Sequence, residues 1–380
     1  MFSMTLATVA VKPLDHWYAA RDRLVGSATF RRWAAAFPFT RGIAQRRARE
    51  VFDLCAGFVY SQVLLACVQL RLFDMLAERP QTMPVLARRL KLSEVSAGRL
   101  LAAAVSLRLV DRRTGERFGL GELGAAIVGN SAIVAMVEHH ALLYADLHDP
   151  VALLQGEGND TALARYWPYA GTSRPGALEH DRVAAYSSLM STSQSLIADE
   201  VLAVYDFGRH RCLLDVGGGE GAFLTAVAAQ NPDLPLILFD LPAVADLARQ
   251  RFAAAGLRER STAVGGDFLV DRLPTGADVI SLVRVLHDHD DDGALTLLRA
   301  IHRALPADGT LVLAEPMAGT PGSEPMGDAY FGFYLLAMGR GRARSPAELE
   351  TMLLAAGFAR VEQVPTRIPL QTGLVVARKS

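Results

Sequence analysis

The residues best able to do chemistry cluster in the stretch Leu213-Leu-Asp-Val-Gly-Gly-Gly-Glu-Gly-Ala-Phe-Leu. An apolar run, read as a buried strand, enters glycines at 217, 218, 219 and 221, and a helical pattern follows. Glycines in a strand-to-helix turn let the chain reverse tightly and let a ligand approach the backbone. Alone, such a loop fits many nucleotides. Its details narrow the ligand. Gly217, Gly219 and Gly221 are spaced G-x-G-x-G, whereas the dinucleotide fingerprint sets its third glycine one residue later. Asp215, on the strand just before the loop, suits a cationic amine and repels a pyrophosphate. Asp240 closes the next strand candidate, where a carboxylate takes both hydroxyls of a ribose. At the third strand end, Gly265-Gly-Asp-Phe brings Gly266, offers Asp267 to an adenine amino group and sets Phe268 as a stacking neighbour. Each residue alone reads equally as a turn glycine or a capping aspartate. Jointly, at consecutive strand ends, they describe a nucleoside site.

These side chains need a sheet to hold them. Short β-rich runs at 212–216, 236–240, 262–265, 279–283, 310–314, 361–364 and 374–377 alternate with helical stretches. That order predicts a doubly wound, Rossmann-like seven-stranded α/β sheet, because parallel strands need crossover helices. Ligands of such sheets bind outside the carboxyl ends of the strands, where the aspartates fall.

Upstream the pattern differs. Residues 51–76 are apolar at helical spacing. A helix over 82–90 with a Thr82 cap, a second helix capped by Ser93 and a ribbon over 109–120 turning at Thr114-Gly115 give winged-helix order. Only Arg99 is basic where a reading helix would meet DNA, too little for phosphate neutralisation, so a dimerising use of the fold is expected and no nucleic acid partner. Residues 130–205 read as helical, with Tyr144, Tyr166, Trp167 and Tyr169 among them. Residues 17–50 carry Arg21, Arg23, Arg31, Arg32, Arg41, Arg46, Arg47 and Arg49 among aromatics, a solvated arm or one lying on a partner subunit or an anionic membrane. Three regions follow: a basic arm over 1–50, a helical winged-helix-like dimerisation and substrate-capping domain over 51–185, and a cofactor domain over 186–380.

The bulk properties agree. A chain of 380 residues exceeds one ordinary core, and 51% hydrophobic with 21% charged residues is globular composition. The net charge of −1 argues against a nucleic-acid protein. Cys55, Cys67 and Cys212 lack metal-site spacing and read as reduced, packed thiols. With no signal-like run and no uninterrupted apolar stretch of about 18 residues, a cytoplasmic enzyme is expected. Slightly positive mean hydropathy asks for a large dimer interface, an apolar pocket, or both.

Asp-Val-Gly-Gly-Gly-Glu-Gly, Phe239-Asp-Leu-Pro, Gly-Gly-Asp-Phe and Leu286-His-Asp-His-Asp-Asp together resemble the small-molecule O-methyltransferases of the plant caffeate and bacterial polyketide type, over about residues 50–380. The resemblance implies S-adenosyl-L-methionine as cofactor, no metal, a homodimer and a hydroxylated small-molecule acceptor. It makes His287 the general base and matches Glu315 to a glutamate flanking that histidine. Leu241 and Arg284 join the cofactor set, and Met190 and Ser193 (with Gln194 competing for the register) match positions touching its methionine end. An imidazole at the end of the fourth strand titrates near working pH, as a base requires.

The sequence also departs from the pattern. The family's tryptophan after His-Asp is His289, and a second glutamate falls at about Ala343, within Arg340-Gly-Arg-Ala-Arg, where Arg344 reshapes the corner. Asp290, Asp291 and Asp292 read as caps and first-turn acids of the next helix. Residues 328–338 read as an apolar helix whose Tyr330, Phe331 and Met338 face a pocket or pack the core, and Tyr144 and His140 stand on the same footing. Phe52-Asp-Leu-Cys-Ala-Gly-Phe-Val-Tyr-Ser-Gln and His139-His-Ala-Leu-Leu-Tyr-Ala-Asp-Leu-His-Asp-Pro resemble, more narrowly, the hydroxyneurosporene and demethylspheroidene O-methyltransferases of carotenoid biosynthesis. That resemblance implies a small apolar 1-hydroxy carotenoid acceptor, and the arginine-rich arm adds a peripheral membrane contact as one reading. The alternatives are a bacteriochlorophyllide C-methyltransferase, a polyketide or phenolic O-methyltransferase, and, outside enzymes, a winged-helix ligand-binding regulator.

Overall fold

The computed structural model describes residues 13–156, 160–167 and 194–380. Tyr169, Met190 and Ser193 lie outside the described residues. The chain divides into two compact units, Met1–Leu123 and Gly124–Ser380. Helices between 131 and 166, grouped by sequence with the dimerisation half, thus fall in the second unit.

The first unit opens with helices Pro13–Gly26 and Ala28–Ala36, then a helix of 32 residues, Pro38–Gln69. Pro38 starts it at a position where its missing N–H costs nothing. Left-handed Arg71 (φ 55°) then turns the chain into Leu72–Glu78. The last part of the basic arm, from Pro38, and the apolar segment are therefore one continuous helix across residue 50. Leu65, Cys67 and Val68 are buried, but Phe52, Leu54 and Phe58 are exposed. Cys55 is also exposed, contrary to the packed thiols expected, and Cys212 is half-buried. By length and composition this helix is apolar enough to cross a membrane. Asp53, Ser61 and Gln62 interrupt the run without lowering its mean enough to disguise that.

The winged-helix order holds. Helices Met83–Leu90 and Glu94–Ser106 precede a ribbon of β2 (Val110–Arg113) and β3 (Arg117–Leu120), and β1 (Gln81–Thr82) pairs with β3 in an antiparallel sheet of order β1-β3-β2. Ser93 Oγ accepts from the Ser96 N–H at 3.1 Å. Thr82 occupies its cap position without a side-chain bond.

In the second unit all seven expected strands form one sheet: β4 (Leu213–Val216), β5 (Leu236–Asp240), β6 (Ser261–Gly265), β7 (Val279–Val283), β8 (Thr310–Glu315), β9 (Arg360–Val364) and β10 (Gly373–Arg378), in the order β6-β5-β4-β7-β8-β10-β9. β4, β7 and β8 are buried along their whole length, which explains their mostly apolar sequences, broken only by Asp215, Ser281, Thr310 and Glu315. β10 runs antiparallel to both β8 and β9. Only residues 365–372, with no helix, separate β9 from β10, so they join as neighbours reversing direction. Strand order reverses between β4 and β7, the switch point where the carboxyl-end crevice opens.

Candidate active site

Register brings the first carboxylate into place. Asp215 on β4 pairs with Ser281 on β7, and the Ser281 hydroxyl donates to Asp215 Oδ1 at 2.6 Å. Its other oxygen, Oδ2, is buried without a hydrogen-bond partner among the described residues. A β-carbon on Gly218 would stand 2.5 Å from that oxygen, so glycine there keeps it accessible. Burial, reinforced by the Asp240 charge and opposed by the Ser281 bond, raises the Asp215 carboxyl to about 7. Such an orphaned carboxylate calls for a cationic donor.

The glycines have separable reasons. Gly219 has φ 59° with open space around it, and its N–H donates to Asp240 Oδ2 at 2.8 Å. Gly217 (φ 68°) leaves room for Val285, and Gly221 (φ 81°) for the Phe252 ring. Gly266 is glycine because a β-carbon would lie 2.6 Å from the buried Phe239 ring, a packing reason the sequence did not disclose. The Leu241 N–H binds Asp240 Oδ1 at 2.7 Å, and burial raises the Asp240 carboxyl to about 6 against these two bonds. Asp267 turns its own loop, its Oδ1 accepting from Leu269 N–H at 2.9 Å while Asp271 takes the Asp267 N–H at 2.8 Å. Phe268 meets His289 edge-on at 5.3 Å. A carboxylate-rich crevice with an orphaned oxygen fits a ribonucleoside bearing a positive charge.

After β7 the chain turns through left-handed Arg284 (φ 57°) into a short 3-10 helix, Leu286–Asp288, carrying His287. Glu315, buried at the end of β8, fills one oxygen with the N–H groups of Val285 (3.2 Å) and Leu286 (2.7 Å) and the other with His287 Nδ1. Asp288 Oδ1 lies 3.1 Å from Nε2. Burial alone would lower the imidazole, but the two carboxylates overcome it and raise His287 to about 10. Sequence reasoning missed Asp288 as part of this group, although its place next to the histidine was visible. Ser281 was missed because only sheet register sets it beside Asp215.

Arg344, 3% exposed, anchors the loop from below. Its guanidinium donates to the carbonyls of Leu286 (3.0 Å) and His289 (2.7 Å) and to Asp291 Oδ1. Asp290 stands at the helix N-cap but makes no side-chain cap; it takes the Gly341 N–H at 3.0 Å instead. Asp291 and Asp292 do lie in the first turn, with Asp291 paired to Arg342 and Arg344. At left-handed Gly341 (φ 83°) any β-carbon would collide with the His287 carbonyl oxygen.

The segment expected as one helix over 328–338 begins as a π-helix, Pro325–Phe331, before the α-helix Gly332–Met338. The Phe331 ring stands 5.9 Å from His287. Tyr330 bonds His140 Nε2 at 2.7 Å, and Tyr144 lies 6.3 Å from the His140 ring. Met338 is buried in a core cluster with Leu143, Leu163 and Trp167.

A switch-point crevice lined by carboxylates beside a carboxylate-held histidine defines a nucleoside-dependent group-transfer enzyme. Residues 144–359 match the O-methyltransferase domain, and residues 52–130 the O-methyltransferase dimerisation domain. The chain belongs to the O-methyltransferase family. It is 45% identical over 93% of its length, and 93% of the relative's, to a demethylspheroidene O-methyltransferase of Cereibacter sphaeroides. A protein of the same description from Rhodobacter capsulatus is 42% identical over 90% of this chain and 85% of that one. Human N-acetylserotonin methyltransferase, solved in complex with SAM, superposes with a TM-score of 0.71 at 25% identity, covering 88% of this chain and 98% of that one.

Two outcomes test this geometry without turnover. Arg344→Met should lower unfolding free energy by about 2–4 kcal/mol in denaturant titrations, because it strands buried carbonyls. Arg342→Met, at the exposed partner of the same Asp291, should cost less than about 1 kcal/mol; equal losses would remove the special role of Arg344. In nitrogen NMR of labelled histidine, the cofactor-free His287 should keep its proton above pH ~8 and lose it at lower pH in Glu315→Gln. Wild-type titration near the ordinary value of about 6.5 would show that the carboxylates do not govern it.

Proposed function

We propose that this chain transfers a methyl group from S-adenosylmethionine to the hydroxyl of an apolar acceptor, the 1-hydroxyl of a carotenoid such as hydroxyneurosporene or demethylspheroidene. The observation that carries the reading is the His287 imidazole, held through Nδ1 by buried Glu315 at the carboxyl ends of β7 and β8. Support for the acceptor comes from the similarity to demethylspheroidene O-methyltransferases.

S-adenosylmethionine supplies, when bound, a methyl group on a positively charged sulfur. Asp215 Oδ2 accepts from the amine at the methionine end, and Asp240 accepts from the ribose hydroxyls. Gly217, Gly219 and Gly221 keep the backbone open to the ligand, while Leu241, Gly266, Asp267, Phe268 and Arg284 border the nucleoside. Met190 and Ser193 complete the proposed set.

A tertiary alcohol is too weak an acid to ionise beforehand, yet an oxygen that has gained a methyl while keeping its proton is strongly acidic. The base is therefore needed as the carbon–oxygen bond forms. His287 takes the hydroxyl proton at Nε2. Glu315 fixes the ring through Nδ1 and balances the imidazolium charge, and Asp288 adds to that balance. This trades a smaller neutral fraction at pH 7 for a stronger proton acceptor. Most of the acceleration comes from holding the reacting atoms in line. Tyr330, Phe331, Tyr144 and His140 form the aromatic wall facing the acceptor. The dimerisation domain supports a homodimer. Working from the cytoplasm on a lipid-soluble acceptor, the enzyme meets a membrane surface.

Methyl incorporation from labelled S-adenosylmethionine into 1-hydroxyneurosporene or demethylspheroidene should proceed in wild type and fall at least ~100-fold in His287→Ala. No product from wild type would remove the carotenoid acceptor; equal rates would remove His287 from the chemistry. Because Asp215 and Asp240 are raised to about 7 and 6 by burial and must ionise, the first to hold the amine and the second to accept from both ribose hydroxyls, cofactor affinity should rise with pH between about 5 and 8 in calorimetry. Asp215→Asn should weaken binding about 10–100-fold at pH ~8 and flatten the dependence above pH ~6; an unchanged profile would exclude Asp215 from the amine site.

A further inference from the structure

The family's dimerisation domain begins at residue 52, which leaves the described helices before it without an assigned task. Residues 13–50 carry eight arginines against Asp15, Asp22 and Glu50, in a chain whose total charge is −1. All eight arginines are exposed. Arg32, Arg41, Arg47 and Arg49 have no ion pair among the described residues, while Arg21 pairs with Asp22 and Arg46 with Glu50. The aromatics are just as open. On helix Pro13–Gly26, Leu14 lies three and four residues before Trp17 and Tyr18, and Leu24 and Val25 follow these two by seven, which sets all five along one stripe. All five are exposed, Trp17 at 60%. Arg21 lies in the same stripe, its guanidinium 5.7 Å from the Trp17 ring and 4.8 Å from the Tyr18 ring. On the next helix half-buried Phe30 and exposed Trp33, with Phe37 at the C-cap, repeat the spacing, and Trp33 and Phe37 stack at 5.0 Å. Phe39 is 86% exposed.

We propose that this arm docks on an anionic lipid bilayer, its rings at the headgroup–acyl boundary and its arginines on lipid phosphates. Charge decides between occupants. Arginine and aromatic rings also occur in protein interfaces, but an arm packed on the arm of a second copy would bring together two sets of eight arginines with only Asp15, Asp22 and Glu50 of each to oppose them. Tryptophan and tyrosine settle at bilayer interfaces, and arginine reaches from an apolar stripe to the headgroups. The proposal deepens the membrane reading above and rests on it for its purpose, since an enzyme on the bilayer meets a lipid-dissolved acceptor there. The binding chemistry itself needs neither acceptor nor cofactor.

The test is flotation of the full-length protein with vesicles of phosphatidylcholine alone or mixed with phosphatidylglycerol, without substrate. Binding should favour the anionic vesicles and weaken with salt. Arg31→Gln and Arg32→Gln should each weaken it about 5-fold, and Trp17→Ala with Trp33→Ala about 10-fold or more, with circular dichroism unchanged. Equal binding to both vesicle types, or arginine variants that bind like wild type, would overturn the proposal. So would arm variants that dissociate the dimer in sedimentation, which would give the arm to the second copy. Methylation assayed in detergent separates the two claims. Product there without vesicle binding removes the arm proposal and leaves the activity standing.

Discussion

A carboxylate buried at the end of a sheet strand must have its lone pairs filled, and the rest of the site depends on how Glu315 meets that demand. It is 2% exposed, and no water-facing conformation relieves it. Two backbone N–H groups from the loop after β7 satisfy one oxygen, and His287 satisfies the other. One side chain thus fixes both the path of the loop and the orientation of the imidazole it carries. The β7–β8 pairing places Glu315 there, and an unbroken run of apolar residues in β8 ensures the pairing.

The same loop needs support from its other side. The sequence places Ala343 near where the plant-type pattern has a glutamate, which removes one charged contact to the histidine. The neighbouring Arg344 does a different job. It holds loop carbonyls instead of the imidazole, with its charge balanced by Asp291 at the first turn of the following helix. Asp290 and Gly341 close the opposite edge. Orientation of His287 thus comes from Glu315 alone at Nδ1, while the backbone beneath it is fixed by residues that never touch the ring.

Much of this was legible in the sequence, and the parts that were not share a cause. Strands are announced by apolar runs between glycine and proline punctuation, so all seven were found. The glycine loop and strand-end aspartates were visible because they are local. Ser281 beside Asp215, the packing reason for Gly266 and the core position of Met338 depend on residues far apart in the chain, and periodicity is silent about them. Near residue 50 composition changes from basic to apolar, yet one helix runs through the change, because no proline or cap interrupts it and Gly42 and Gly57 are tolerated inside it. The π-helical start of the segment after β8 has no sequence signature of its own.

Charge is distributed unevenly across the second unit, and the unevenness fits the chemistry. At the strand ends Asp215, Asp240, Asp288 and Glu315 gather around one crevice. Where the helices Ser131–Asp146 and Gly332–Met338 meet, the paired polar groups are His139, His140, Tyr330 and Tyr334. His139 is lowered to about 4 by burial and by its neighbour His140, which burial lowers as well. Uncharged imidazoles pair with tyrosines: the Tyr334 hydroxyl stands 2.7 Å from His139 Nε2 and the Tyr330 hydroxyl 2.7 Å from His140 Nε2. Each buried polar group is thereby paired without introducing an ion. Negative charge concentrated in the crevice suits a cation, whereas neutral hydrogen-bonded aromatics suit a long apolar molecule with one hydroxyl. The Phe331 ring, beside both Tyr330 and His287, joins the two environments.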